Sequence, residues 1–201
     1  MGRGMGGMGP GAGGMGGFGG GFGGGAPAKA PFDCLQAGTR VKLQNLQKAA
    51  EKNGDMGVVE SYDIKTGRHI VKNLEDGKQY KLKIDNLQQI VSGAKITGMQ
   101  STPKFNGEKG TIIGYIPSKG RYWFRFPRHI NTKPAAVRPV NVILPPNTVV
   151  RITGLSKAPE MNGKYAKIVQ FDQASGRYVV QIAPTKNVKL KLENVVASSN
   201  L

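Results

Sequence analysis

The chain has 201 residues, and its 29 Lys and Arg against 12 Asp and Glu give a formal net charge of +17. A charge excess of this size on a short chain indicates a polyanionic partner. One cysteine excludes an intramolecular disulfide framework and a cysteine-based zinc site, and two histidines leave little material for acid–base or metal chemistry. We therefore expect no enzyme activity, no metal site, no cofactor and no small-molecule substrate.

The sequence also lacks recognisable targeting signals. No apolar run approaches the roughly 18 residues that a membrane span needs. The start has neither the apolar segment of a signal peptide nor the Arg- and Ser-rich character of a transit peptide. We predict an intracellular protein, cytoplasmic or nuclear, that is not secreted and has no membrane partner.

Residues 1–37 form a Gly-, Met- and Phe-rich tail and linker, in which 16 of the chain's 30 glycines fall within the first 25 residues. Such a stretch buries too little apolar surface to offset its backbone entropy, so we predict disorder across 1–31. Two roles remain open: a flexible tether, or an arm whose Met and Phe side chains make weak contacts. Arg3 is the only arginine of that stretch, so an Arg-Gly-Gly box is absent. Cys34 is expected to be a free thiol.

Three internal repeats make up the rest of the chain. Each contains an Asn-Gly pair and a Gly-Arg pair whose glycines are 13 residues apart. The pairs are Asn53-Gly54 with Gly67-Arg68, Asn106-Gly107 with Gly120-Arg121, and Asn162-Gly163 with Gly176-Arg177. We place repeat 1 at 38–92, repeat 2 at 93–146 and repeat 3 at 147–201.

Each repeat shows the short apolar alternation of half-buried strands, interrupted by Gly-containing turns. Residues 43–52 have helical propensity, but Ala50 aligns with Pro103 and Pro159, so we predict a loop there with at most one helical turn. Four or five short strands in about 55 residues fit a small antiparallel barrel. We therefore predict an all-β protein of three tandem barrels that pack against one another.

The segments ITGMQSTPKFNGEKGTIIGYI and ITGLSKAPEMNGKYAKIVQFD resemble the KOW motif and its Src-homology-3-like relatives. The G-x-x-G of that motif is matched by Gly54 with Gly57 and by Gly107 with Gly110, whereas repeat 3 has Ala166 at the second glycine. The resemblance implies Src-homology-3-like barrels of the KOW or Tudor type. It also implies nucleic-acid binding, as in ribosomal and transcription-elongation proteins, although related barrels bind peptides and modified side chains.

Positive charge is concentrated in repeat 2, which has nine Lys and Arg against a single acid, Glu108. These nine cations are Lys95, Lys104, Lys109, Lys119, Arg121, Arg125, Arg128, Lys133 and Arg138. A charge that served solubility alone would be interspersed with acids, as it is in repeat 1. Neutralisation of phosphates by such a patch is the sequence-independent part of nucleic-acid affinity.

The strand RYWFRF lies within this basic repeat. Because side chains alternate between the two faces of a strand, Tyr122 and Phe124 are predicted to face the core and Arg121, Trp123 and Arg125 the outside. An exposed Trp between two Arg side chains can stack on an unpaired base while the guanidinium groups hold phosphates. The alternative is that Trp123 packs between two repeats.

The candidate nucleic-acid-binding residues share positive charge or an exposed aromatic ring. They are Arg121, Trp123, Arg125, Arg128, Lys104, Lys109, Lys119, Lys133, Arg138, Lys164, Lys167 and Arg177. Structural alternatives stay open for two groups: the Gly-Arg arginines can cover an aromatic neighbour, and the lysines beside the Asn-Gly pairs can be ordinary solvated loop charge.

These features predict a non-enzymatic RNA-binding protein that contacts single-stranded or structured RNA through repeat 2 and belongs to a ribosome or another ribonucleoprotein. A protein-interaction scaffold whose barrels bind peptides or acidic partners is the alternative. A chromatin-associated DNA-binding protein is the third interpretation.

Overall fold

The structure is a computed structural model that describes residue 1 and residues 31–129 and 133–197. The predicted disorder of the tail falls largely on residues 2–30, outside the described part. Within the described residues all regular structure is β-strand or short 3-10 turn, which confirms the all-β class. No helix in that part of the chain is long and apolar enough to cross a membrane.

Within the described part of the chain, fifteen strands form three five-stranded sheets. In repeat 1 the strands are β1 (Arg40–Leu43), β2 (Met56–Asp63), β3 (Arg68–Asn73), β4 (Gln79–Leu82) and β5 (Leu87–Gln89). In repeat 2 they are β6 (Val91–Ile96), β7 (Lys109–Ile116), β8 (Arg121–Arg125), β9 (Ala135–Val137) and β10 (Val142–Ile143). In repeat 3 they are β11 (Val149–Ile152), β12 (Tyr165–Asp172), β13 (Arg177–Ala183), β14 (Lys186–Lys191) and β15 (Val195–Val196).

The three sheets have one topology. In each, the spatial order is the fourth, third, second, first and fifth strand of the repeat, and all neighbours are antiparallel. The first strand of repeat 2, β6, begins at Val91, two residues before the boundary placed from the sequence. The second strand of every repeat shifts register at the same point, between Val59 and Ser61, Ile112 and Gly114, or Ile168 and Gln170. Such a bulge bends and twists a strand, which lets a short sheet curl around its buried face.

The Asn-Gly loops repeat in atomic detail. The side chain of Asn106 accepts a hydrogen bond from the Met99 amide (2.8 Å) and donates one to the Met99 carbonyl (3.0 Å). Asn53 and Asn162 make the same two bonds, to Leu46 and Leu155. The glycines that follow have φ of +104°, +90° and +83°, whereas the asparagines have φ near −60°. The asparagine therefore closes the loop with its side chain, and within the Asn-Gly pair the glycine is the residue with positive φ.

The loop predicted at 43–52 is confirmed, with one short turn. A 3-10 turn covers Ala50–Lys52, and the aligned prolines begin equivalent turns at Pro103–Phe105 and Pro159–Met161. Proline suits the start of such a turn because its missing N–H would have no partner there.

Repeats 2 and 3 share one hydrophobic core. The buried Tyr122 hydroxyl of repeat 2 accepts a hydrogen bond from the Ala197 amide of repeat 3 (2.9 Å), and the Tyr178 hydroxyl of repeat 3 accepts one from the Leu144 amide of repeat 2 (2.8 Å). The Tyr178 hydroxyl also donates to the Val142 carbonyl (2.8 Å). Each repeat thus holds the C-terminal segment of the other through a tyrosine hydroxyl. The exchange is reciprocal, as in an isologous dimer.

Repeat 1 has its own core, to which Val149 of repeat 3 adds. Its His69, at the position of the two tyrosines, accepts a hydrogen bond at Nε2 from the amide of Leu35 (2.9 Å). In repeats 2 and 3 the residue at this position is bonded by the partner repeat. In repeat 1 it is bonded by the segment that precedes the repeat. Repeat 1 joins repeat 3 through the Tyr165 hydroxyl, which donates to Asp85 Oδ1 (2.7 Å).

Candidate nucleic-acid interface

The outer face of repeat 2 carries cations in register. Lys95 on β6 lies directly opposite Lys109 on β7, and both side chains are exposed. Thr111, two residues after Lys109, lies opposite the exposed Arg125 on β8, so Arg125 is diagonal to Lys109. Like charges directly opposite each other destabilise a sheet. A bound polyanion would remove that repulsion.

At two positions that are acidic in repeats 1 and 3, repeat 2 has an apolar residue. Asp63 of repeat 1 and Asp172 of repeat 3 bind Lys81 (3.1 Å) and Lys189 (2.7 Å), whereas the equivalent residue of repeat 2 is Ile116. Hydrogen bonds from Thr66 and Lys81 lower the pKa of the Asp63 carboxyl to about 2, so this acid is ionised and neutralises its lysine at neutral pH. Repeat 2 has no such counter-charge at this position.

The second position lies just before the Asn that closes each repeat. Asp85 and Glu193 occupy it in repeats 1 and 3, and Val140, 42% exposed, occupies it in repeat 2. Among the described residues, ion pairs occur in repeats 1 and 3, and none involves a side chain of repeat 2. The high net charge of repeat 2 therefore reflects a lack of acids and not extra cations, because repeat 2 has nine Lys and Arg and repeat 1 has ten.

Trp123 lies on the same outer face, where 40% of its surface is exposed. Its register partners are Gly114 on β7 and Ala136 on β9, so the strands on both sides present small residues beside the indole. A methyl group added at Gly114 would meet the indole Cδ1 at 3.5 Å, which places the ring against that glycine. Tyr122 and Phe124, the neighbours along β8, are fully buried, as their alternation predicts.

The Trp123 side chain is partly exposed and is not buried in an interface between repeats. It borders a cleft of about 550 Å³ whose other wall is the loop region of repeat 1, including Lys42 and Gly54. Ile70 and Val179 hold the equivalent positions in repeats 1 and 3. The open aromatic surface is therefore specific to repeat 2.

The Gly-Arg arginines have a structural role in two repeats. Nη1 of Arg121 donates to the Ala136 carbonyl (3.1 Å), and Nη1 of Arg68 donates to the Lys81 carbonyl (3.2 Å), so each ties the hairpin to the next strand. Gly120 before Arg121 has φ of +57°, a conformation that favours glycine. Arg121 also lines a hollow of about 480 Å³ together with Arg138. Its bond to a carbonyl leaves the other guanidinium donors for an anion.

The remaining candidate residues occupy several parts of the molecule. Nζ of Lys104 lies 5.3 Å from the Phe105 ring centroid, as in a cation–π contact. The candidate side chains of Lys119, Arg128, Lys133 and Arg138, elsewhere in repeat 2, are exposed. Three candidates belong to the sheet or loops of repeat 3, and so are not in the repeat 2 sheet: Lys164, Lys167 and Arg177.

Sequence reasoning left Lys95 out of the candidate site. Its alternation with the buried Ala94 and Ile96 marks it as outward-facing, but its position opposite Lys109 depends on strand register, which spacing alone does not fix. Among the described residues, no three His, Cys, Asp or Glu side chains are grouped to hold a metal ion. No protein-family model matches the sequence, and no curated protein matches it.

Proposed function

We propose that this protein binds RNA without enzymatic activity, through the outer face of repeat 2. The observation that carries the proposal is an exposed tryptophan beside cations that have no acidic partners among the described residues: Trp123 with Arg125, and Lys95 opposite Lys109. Such a face combines the two elements of single-strand recognition, a stacking surface and phosphate-binding charge.

We further propose that the three sheets are Src-homology-3-like barrels of the KOW type. The shared strand order, the bulge in each second strand and the positive φ of Gly54, Gly107 and Gly163 support this assignment. An intracellular place in a ribosome or another ribonucleoprotein is part of the same proposal, because a basic face without acids suits a partner rich in phosphate.

The proposal is tested by fluorescence anisotropy with a labelled single-stranded RNA, in competition with the same RNA unlabelled, duplex DNA and polyglutamate. The test variant replaces Lys95, Lys109 and Arg125 by Gln. The control variant replaces Lys72, Lys78 and Lys83 of repeat 1 by Gln, which removes the same charge from a repeat that retains its acids. We expect the test variant to weaken RNA binding at least about tenfold and the control to leave it within about twofold.

Three outcomes would contradict the proposal. Equal weakening by the test and control variants would mean that only net charge matters. Stronger competition by duplex DNA than by RNA would favour a chromatin protein. Stronger competition by polyglutamate would favour a protein scaffold with acidic partners.

A further inference from the structure

We infer that the cleft between repeats 1 and 2 binds one unpaired base of the bound RNA, stacked on Trp123, and that this protein therefore selects single-stranded or bulged RNA. The inference rests on the proposed function, because the phosphates of the same strand would lie on the basic face of repeat 2. It adds a site built by two repeats, and a discrimination against duplex that the basic face alone does not provide.

The cleft is formed by residues 42–45, 53–54 and 88 of repeat 1 and by residues 113–115 and 123 of repeat 2. Strand β5 of repeat 1 lies beside β7 of repeat 2, which holds the two walls together. The volume of about 550 Å³ lies within the roughly 300–1,000 Å³ range of ligand-binding pockets. A planar ring can enter it without the repeats separating.

The chemistry of the walls suits a base. Trp123 supplies an exposed aromatic face on one side, and Lys42 supplies a positive charge on the other. The Lys42 side chain runs along the loop, with its Cε 3.9 Å from the position that a Cβ on Gly54 would take. None of the described residues that line the cleft is acidic. A neutral ring attached to a negative phosphate complements these walls, because indole–base stacking is favourable for every base.

A paired base does not fit this site. Bases in a duplex are stacked on one another and present only their edges, whereas stacking on Trp123 needs an open base face. Gly114 forms the surface of the cleft beside the indole ring. The equivalent residues of repeats 1 and 3 are Ser61 and Gln170. The fold thus accepts a side chain at this position, and repeat 2 lacks one where the ring would enter.

The experiment uses the full chain, in which Trp123 is the single tryptophan and its fluorescence reports on the cleft directly. Affinities are measured by the anisotropy of labelled oligomers, because the Trp123→Val variant has no tryptophan. The probes are an oligouridylate, an abasic oligomer with the same number of phosphates, and the oligouridylate annealed to oligoadenylate. Two variants introduce the residues that repeat 3 has at the equivalent positions. Trp123→Val removes the indole ring, and Gly114→Gln places a side chain in the cleft without changing any charge. Ile70→Val makes an equivalent change in repeat 1 as a control.

We expect the oligouridylate to quench Trp123 fluorescence and the duplex and the abasic oligomer to quench it far less. Trp123→Val should weaken oligouridylate binding roughly 5- to 150-fold, the range measured per stacked base, and leave abasic binding within about twofold. Gly114→Gln should weaken oligouridylate binding and reduce the quenching. Ile70→Val should have no effect.

Equal effects of Trp123→Val on the oligouridylate and the abasic oligomer would overturn the inference, as would quenching by the duplex as strong as by the single strand. Failure of the proposed function looks different. In that case replacing Lys95, Lys109 and Arg125 changes the affinity for neither the oligouridylate nor the abasic oligomer, both with Trp123 and with Val at position 123.

Discussion

Asn106 shows how one side chain sets a loop. Its two hydrogen bonds to Met99 span seven residues and hold the segment between β6 and β7 closed. The sequence shows Asn-Gly at fixed offsets, which predicts a loop with a left-handed glycine. It does not show that the asparagine side chain bonds to the backbone seven residues earlier. An Asn-Gly pair is equally typical of a type I′ turn, in which that bond is not made.

Replacing Asn106 by Ala removes both bonds and should lower the free energy of unfolding by about 1–2 kcal/mol. Urea denaturation measures the change. Asn106→Asp keeps the acceptor but loses the donor, so it should fall between Asn106→Ala and the wild type. A free energy of unfolding unchanged by Asn106→Ala would contradict this role.

His69 makes the stability of repeat 1 pH-dependent. Burial lowers the pKa of His69 to about 4, compared with about 6.5 in an unfolded chain. Its Nε2 accepts from the Leu35 amide, and its Nδ1 is buried without a partner among the described residues. Protonation would end the bond to Leu35 and place a charge in the core.

The unfolded state therefore binds more protons between these two pKa values, so this contribution to stability is complete above about pH 6.5 and falls as the pH drops towards 4. We expect the wild type to lose about 2 kcal/mol more stability between pH 7 and pH 5 than the variant His69→Gln. Urea denaturation at the two pH values tests this. Parallel losses in the two proteins would contradict it.

At the scale of elements, the packing of β8 against β7 explains why repeat 2 requires the second glycine of the G-x-x-G pattern. A Cβ on Gly110 would overlap the Phe124 ring and lie 2.6 Å from the Arg125 carbonyl oxygen. In repeat 3 the residue at the Phe124 position is Val180, and Ala166 is accommodated, fully buried. Ring size is not the whole cause, because a Cβ on Gly57 of repeat 1 would lie 2.7 Å from Cγ1 of Val71, a valine as in repeat 3. The sequence shows which repeat departs from the pattern, but the contacts of each glycine depend on the register of the strands.

Gly110→Ala should destabilise the protein by about 1–3 kcal/mol through overpacking. The double variant Gly110→Ala with Phe124→Val should lose less than the sum of the two single variants, because the smaller side chain relieves part of the overlap. Urea denaturation of the four proteins gives the coupling. Strict additivity would show that the ring and the glycine do not constrain each other.

At the scale of the whole molecule, the sequence predicts three similar barrels that pack together, and the structure has three sheets of one topology. The sequence did not predict how the sheets associate. Tyr122 and Ala197 are 75 residues apart, and no local pattern links them. The Trp123 cleft was not predictable for the same reason, because one of its walls belongs to another repeat.

Repeats 2 and 3 share a core and exchange hydrogen bonds, so they should unfold together. Tyr122→Phe leaves the buried Ala197 amide without its acceptor and should lower stability by about 1–3 kcal/mol in one transition common to both repeats. Tyr115→Phe removes a hydroxyl from the neighbouring, half-buried ring and should change stability little. Hydrogen exchange of β7 and β12 amides would show separate losses of protection if the two repeats were independent.

RNA binding through the cations of repeat 2 is tested most directly by the salt dependence of RNA affinity. Each lost phosphate contact should reduce the slope of log K against log salt by about 0.7 for a single strand. The variant with Lys95, Lys109 and Arg125 replaced by Gln should therefore show a slope about 2 units shallower than the wild type, and the Lys72, Lys78 and Lys83 control an unchanged slope. Equal slopes in all three proteins would contradict RNA binding through these three cations.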